Sequence, residues 1–191
     1  MIRKFGLLLA GLMLTISVFA QSTWEADPYH SKLTFSTTHL GIADIAGLFE
    51  SFEAKIVTDK DDFSDAVFEL TVDISSINTA VKMRDDHLRS EDFFHVEEYP
   101  TMTYKSTKIR KAGKDKYKLT GELTFHGVTK EVTMDLWYRG TIENPQSGAV
   151  TAGFQLTGSL NRSDFNIGPD FPEAIISDKV QIKADGEFVK K

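Results

Sequence analysis

The chain has 191 residues with 41% hydrophobic content, no cysteine and a formal charge of −6. One domain with a sizeable core fits that length; two would be cramped. The missing cysteines exclude a disulfide framework and a lipidated N-terminal anchor, and the acidic balance excludes a surface built for nucleic acid or for electrostatic docking on anionic membranes.

In chain order, Arg3 and Lys4 precede an apolar run from Phe5 to Ala20 that ends in Val18-Phe19-Ala20. This is the three-part pattern of a secretory leader, and the run is short for a membrane span. The expected organisation is a signal peptide over 1–20 and one barrel domain over 21–191. The expected location is the periplasm, with secretion as the alternative. Loss of Arg3 and Lys4 takes the formal charge to −8.

Beyond the leader the dominant period is two, the signature of half-buried strands. It begins with Leu33, Phe35 and Thr37 in "SKLTFST", then "GLFESFEAKIV" with a break between Phe49 and Phe52. It continues with Phe68, Leu70, Val72 and Ile74, and with Met102, Tyr104 and Ser106. "KYKLTGELTFHG", "EVTMDLWYRG", "AVTAGFQLTGSLN" and "KVQIKADGEFVK" complete eight strands. Turn-like breaks such as "TDKDDFSD", "KAGKD", "HGVTK" and "ENPQSG" separate them. An antiparallel sheet of this size with one apolar face per strand either closes or splits into a sandwich, and closure into a barrel is favoured.

The exception to period two runs from Ser76 to Glu98. Asn78 or Thr79 is the expected cap of a short helix in "AVKMRDDHLRS", with Val81, Met83 and Leu88 as its apolar positions. The following stretch ends at Pro100. Two histidines and six carboxylates crowd "RDDHLRSEDFFHVEEYP". However, His87 and His95 lack metal-ligand spacing, and ordinary ion pairing of Arg84 and Arg89 with nearby acids explains the charge. No nucleophile elbow, cysteine nucleophile or phosphate-binding loop occurs, so neither a catalytic centre nor a nucleotide cofactor is expected. His30, His39 and His126 fit structural roles at strand ends.

Fourteen phenylalanines are present. Phe49, Phe52, Phe93, Phe94, Phe165 and Phe171 stand near strand breaks, while Gly121, Ala152, Gly158, Ala184 and Gly186 occupy apolar faces. Small inward residues leave room for a guest whose entrance the aromatics frame. Equally, the glycines let strands bend and the phenylalanines plug a filled barrel. The pattern alone leaves both readings open.

Six stretches occur in one order: "DPYHSKLTFSTTHLGIADIAGLF", "ISSINTAVKMRDDHLRSEDFF", "EEYPTMTYKST", "GELTFHGVTKEV", "NRSDFNIG" and "ISDKVQIKADGE". In this the chain resembles the YceI-like family of lipocalin-like, polyisoprenoid-binding proteins. The resemblance implies an all-β, extended eight-stranded antiparallel barrel with a short helix in a cross-connection and an internal tunnel. The implied ligand is a polyisoprenoid, an isoprenoid quinone or a similar amphiphilic lipid, carried or sequestered without a cofactor or metal and with transient membrane contact. The cavity reading then draws its lining from Leu33, Phe35, His39, Phe49, Phe52, Leu88, Phe93, Phe94, Tyr104, Phe125, Phe154, Phe165 and Phe171. His39, Tyr104 and His126 are the candidates for head-group contact at the mouth. Arg84, Asp85, His87 and Pro100 belong to a segment that holds Leu88, Phe93 and Phe94 against the barrel. Asn166 stands where relatives often carry glycine, and asparagine tolerates the left-handed backbone such a turn needs. Two rivals remain: an enzyme acting on such a lipid with one histidine as base, and a filled-barrel module serving a membrane redox partner.

Overall fold

Alternation becomes strand pairing throughout the computed structural model, which describes residues 21–191; the expected leader lies outside them. The strands are β1 (Ser22–Ala26), β2 (Lys32–His39), β3 (Ala43–Phe49), β4 (Phe52–Thr58), β5 (Val67–Asp73), β6 (Ile77–Asn78), β7 (Thr101–Gly113), β8 (Lys116–Phe125), β9 (Val128–Glu143), β10 (Val150–Asn161) and β11 (Ile176–Lys190). The one α-helix among the described residues, α1, spans Lys82–Arg89.

β1 pairs with β4 on one side and with β11 on the other, so the antiparallel sheet closes. The eleven segments fill eight barrel positions. β1 and β2 lie end to end along β11, through Ala26 opposite Phe188 and Lys32 opposite Asp185. β3 and β4 continue one another in the same way, β3 against β2 and β4 against β1. Pro28 explains the first interruption, since it offers no N–H to a ladder. At the second, Glu50 N–H donates to the Ser76 carbonyl and Ser51 N–H to Ser76 Oγ, so the cross-connection joins the wall there. The expected eight-stranded barrel is therefore present, with β1 and β6 added.

The lower end, reached by the β4–β5, β7–β8 and β9–β10 turns, is closed. Phe63, only 1% exposed, folds under the barrel from "TDKDDFSD". Its ring centroid lies 5.2 Å from Trp24, 5.0 Å from Tyr138 and 4.9 Å from Phe154. Phe68 and Phe188 meet Phe154 edge-on, completing an aromatic floor. The Tyr117 hydroxyl donates to the Asp62 carbonyl at 2.6 Å and pins the loop that carries the plug.

At the upper end β3 has no strand on its outer side beyond Leu48–Phe49, which pair with β6. The segment between β5 and β7 stands in for the missing wall. Its helix begins later than the expected caps: Val81 precedes α1 with no side-chain cap. Asn78 Oδ1 is spent instead on the Ala80 N–H, with Ala80 left-handed at φ 62°. Val81 and Met83 also differ from expectation, being 42% and 80% exposed. The buried side of α1 carries Asp85, which accepts from the Thr79 N–H at 2.8 Å and from the Thr79 hydroxyl. Those two bonds are what make burial of the carboxylate tolerable. Asn166 takes the left-handed cap after the turn Arg162–Phe165, at φ 55° and ψ 30°.

Candidate functional site: an apolar cavity in the barrel

Between the aromatic floor and the upper end, the inward side chains enclose a cavity of about 500 Å³. Sites for small molecules commonly span ~300–1,000 Å³. All thirteen residues expected in the lining border it: Leu33, Phe35 and His39 from β2, Phe49 and Phe52 from β3 and β4, and Leu88, Phe93 and Phe94 from the cross-connection. Tyr104, Phe125 and Phe154 come from β7, β8 and β10, and Phe165 and Phe171 from the β10–β11 loop.

The small residues act differently from expectation. A Cβ on Gly121 would fall 2.7 Å from Tyr104 Cζ, and one on Gly158 would strike Met134 Sδ at 2.1 Å. Gly158 is therefore a seat for a side chain, and Gly121, where a Cβ would also fall 2.4 Å from the Lys105 carbonyl oxygen, marks close backbone approach of β7 as well; neither is empty space. Ala152 is fully buried but forms no part of the cavity wall, whereas Ala184 and Gly186 do border it.

The head-group candidates separate by depth. His39 stands at the upper end of β2, beside the cavity opening. Tyr104 is at the opposite extreme: the next inward position on β7 is Ser106, whose Oγ accepts the Phe68 N–H at floor level. His126 does not border the cavity. Its Nδ1–H donates to the Phe165 carbonyl at 3.0 Å and its ring packs edge-on to Tyr99, a structural role at the β8–β9 turn.

The charged cross-connection holds rather than reacts. Arg84 Nε and Nη2 donate to Thr79 Oγ1 and the Thr79 carbonyl at 2.8 and 2.7 Å. Arg89 Nε and Nη2 reach the carbonyls of Ser75 and Ile77 at 2.7 and 2.8 Å. These bonds set Phe93 and Phe94 inward, 5% and 8% exposed. His87 pairs with Asp92 at 2.9 Å and His95 with Glu98 at 3.4 Å, so the two histidines serve separate partners. Among the described residues no histidine hydrogen-bonds a serine or threonine.

Arg84, His87 and Arg162 also border the cavity and were missed in the sequence. Arg162 has a local signal only in the "NRSDFNIG" stretch. Its guanidinium donates to the carbonyls of Ile167, Gly168, Phe171 and Ile176, which folds the β10–β11 loop over the upper end. Away from the cavity, Asp27, His30 and Glu187 cluster at the β1–β2 break. There His30 and the Tyr29 N–H hold the Asp27 carboxyl below its usual range, and Asp27 raises His30.

A closed antiparallel barrel with one plugged end, an apolar interior and a helical cross-connection as part of its wall defines a lipocalin-like containment fold. The chain belongs to the YceI-like family, whose domain matches residues 24–188. A UPF0312 protein of Staphylococcus aureus is 33% identical over 162 residues, covering 85% of this chain and 91% of its own. BcnA of Burkholderia cenocepacia superposes with a TM-score of 0.77 at 27% identity, over 85% of this chain and 98% of that one. The Campylobacter jejuni YCEI protein gives 0.73 at 33%, over 81% and 90%. A polyisoprenoid binding domain from Saccharophagus degradans shares the fold with a TM-score of 0.66 at 17% identity, over 91% and 100%.

Proposed function

We propose that the protein binds a long apolar lipid, an isoprenoid chain or similar amphiphile, inside the barrel and carries or sequesters it in the periplasm after removal of residues 1–20. The observation that carries this reading is the cavity of about 500 Å³ with aromatic and aliphatic walls. A solvent-sized apolar void of that volume forgoes packing contacts that a guest restores. The polyisoprenoid-binding neighbour supports the same reading from its fold.

At ~30 Å³ per carbon-sized group the cavity holds on the order of fifteen such groups, about three isoprene units. Burying them contributes roughly 12 kcal/mol gross at ~0.8 each. Association costs about 4–15 kcal/mol, so affinity depends on how completely the tail fills the barrel. A longer chain leaves its remainder at the upper opening.

Equilibrium binding of geranylgeraniol to protein stripped of endogenous ligand tests the proposal. Saturable one-to-one uptake that hydrocarbon-filled competitors displace supports it. No uptake by folded protein contradicts it.

A further inference from the structure

Large apolar side chains stand in solvent around the upper opening. In the β2–β3 turn Leu40 is 52% exposed and Ile42 85%, and at the start of α1 Val81 is 42% and Met83 80%. Ile175, 40% exposed, joins them, because its carbonyl accepts the Leu40 N–H at 2.9 Å. β2 rises to this end and β3 leaves it, while β6 runs antiparallel to β3, so the chain beyond Asn78 climbs towards the level where β3 begins. Three separate segments thus carry apolar residues to one end of the barrel.

Packing does not account for them. Leu40, Ile42, Val81 and Met83 neither join the core nor border the cavity. Leu40 also stands against its backbone. The Ile42 N–H donates to the His39 carbonyl at 3.1 Å, and the two residues between, Leu40 and Gly41, are left-handed at φ 52° and 68°. Such a primed two-residue turn favours asparagine or glycine, so a leucine at its tip is a conformational cost that no core contact offsets. The opposite end of the barrel is sealed by Phe63 and its aromatic neighbours, so a ligand enters and leaves past this apolar rim. Charge narrows what the rim fits. The chain carries a formal −6, and Lys82, between Val81 and Met83, is taken up by Asp86, so attraction to anionic headgroups is not what the rim offers.

We infer that this rim is a docking surface for a lipid bilayer, inserting Leu40, Ile42, Val81 and Met83 among the headgroups so that the ligand passes between membrane and cavity without crossing water. This rests on the lipid-binding reading above and adds to it the surface with which the barrel exchanges its ligand. A few apolar side chains bury little area in the interface, so the contact is brief and reversible, as loading and unloading require. The remainder of a chain longer than the cavity emerges at the same opening, where the bilayer covers it together with the rim. A second copy of the protein seated there would close the opening instead of serving it.

The test compares wild type with Ile42→Ser combined with Met83→Ser, exposed positions whose change leaves the core and the cavity wall intact. Uptake of geranylgeraniol is timed from phosphatidylcholine vesicles and, separately, from a cyclodextrin complex in solution. From vesicles the variant is expected to load about tenfold more slowly than wild type, and from cyclodextrin the two load alike within about twofold. Wild-type loading from vesicles is expected to hold as salt is raised, because the contact is apolar. Equal loading of both proteins from vesicles, equal slowing of the variant from both sources, or loading that falls with salt overturns the docking surface while leaving lipid binding intact. A wild-type dimer in sedimentation equilibrium that the substitutions dissociate also overturns it, by assigning the rim to a second copy. If folded wild type takes up geranylgeraniol from neither source, the lipid-binding reading fails, and the docking surface with it.

Discussion

Phe93 stacks on Phe171 with ring centroids 4.6 Å apart and planes 24° from parallel. The pair joins the cross-connection to the β10–β11 loop across the upper end of the barrel, and His87 packs edge-on against both rings. Two segments with no backbone pairing to one another thus meet through aromatic contact over the cavity.

Release of a bound lipid past the upper end is expected to depend on that contact. Aromatic pairs contribute ~0.5–1.5 kcal/mol beyond their burial, so Phe171→Ala is expected to speed ligand release about two- to twelvefold. Stopped-flow displacement of a bound isoprenoid measures it. An unchanged release rate would mean that ligands leave elsewhere.

The charged and apolar halves of "RDDHLRSEDFFHVEEYP" are expected to differ in effect. His95→Gln changes lipid affinity by less than about threefold, under ~0.7 kcal/mol, because His95 serves Glu98 near the surface and does not border the cavity. Leu88→Ser with Phe93→Ser removes apolar wall and weakens binding by ~2 kcal/mol or more. Titration of both variants, after circular dichroism confirms their folding, decides between holding and reacting.

Asp85→Ala strips two donors of their acceptor, since the N–H and hydroxyl of buried Thr79 both give to Asp85 Oδ1. The expected cost is about 2–3 kcal/mol in urea unfolding. A smaller loss, with an intact cross-connection, would show that Arg84 and Arg89 suffice to hold α1.

Tyr104 also predicts an alkaline limb of stability. Its folded pKa is raised by burial, so the unfolded state ionises first as pH climbs past the ordinary tyrosine value of 10.0. Stability is therefore complete below that value and falls above it by up to ~1.4 kcal/mol per pH unit for this group. The stability difference between Tyr104→Phe and wild type is expected to widen in that range. A difference that stays constant would place the hydroxyl in water.

The barrel strands were legible because their burial is one-sided, which writes period two into "KYKLTGELTF" and "VTAGFQLTG". β1 was not, because "STWEA" is five residues long and Pro28 detaches it from β2. Phe63 was hidden for a different reason: a lone aromatic in an acidic loop has no period, and only the closed barrel shows that it lands on the floor. The buried Asp85 depends on Thr79, six residues away through a left-handed turn at Ala80. Likewise the glycines read as empty space because the side chains that occupy them, Tyr104 and Met134, come from neighbouring strands.

The central claim is that the barrel is a container for an apolar chain. Native mass spectrometry of protein purified from its native host, followed by mass spectrometry of an organic extract of the same sample, tests it most directly. The expected result is a non-covalent adduct that disappears on denaturation and reappears in the extract as an isoprenoid-like lipid. Homogeneous ligand-free protein that also refuses supplied isoprenoids would contradict it.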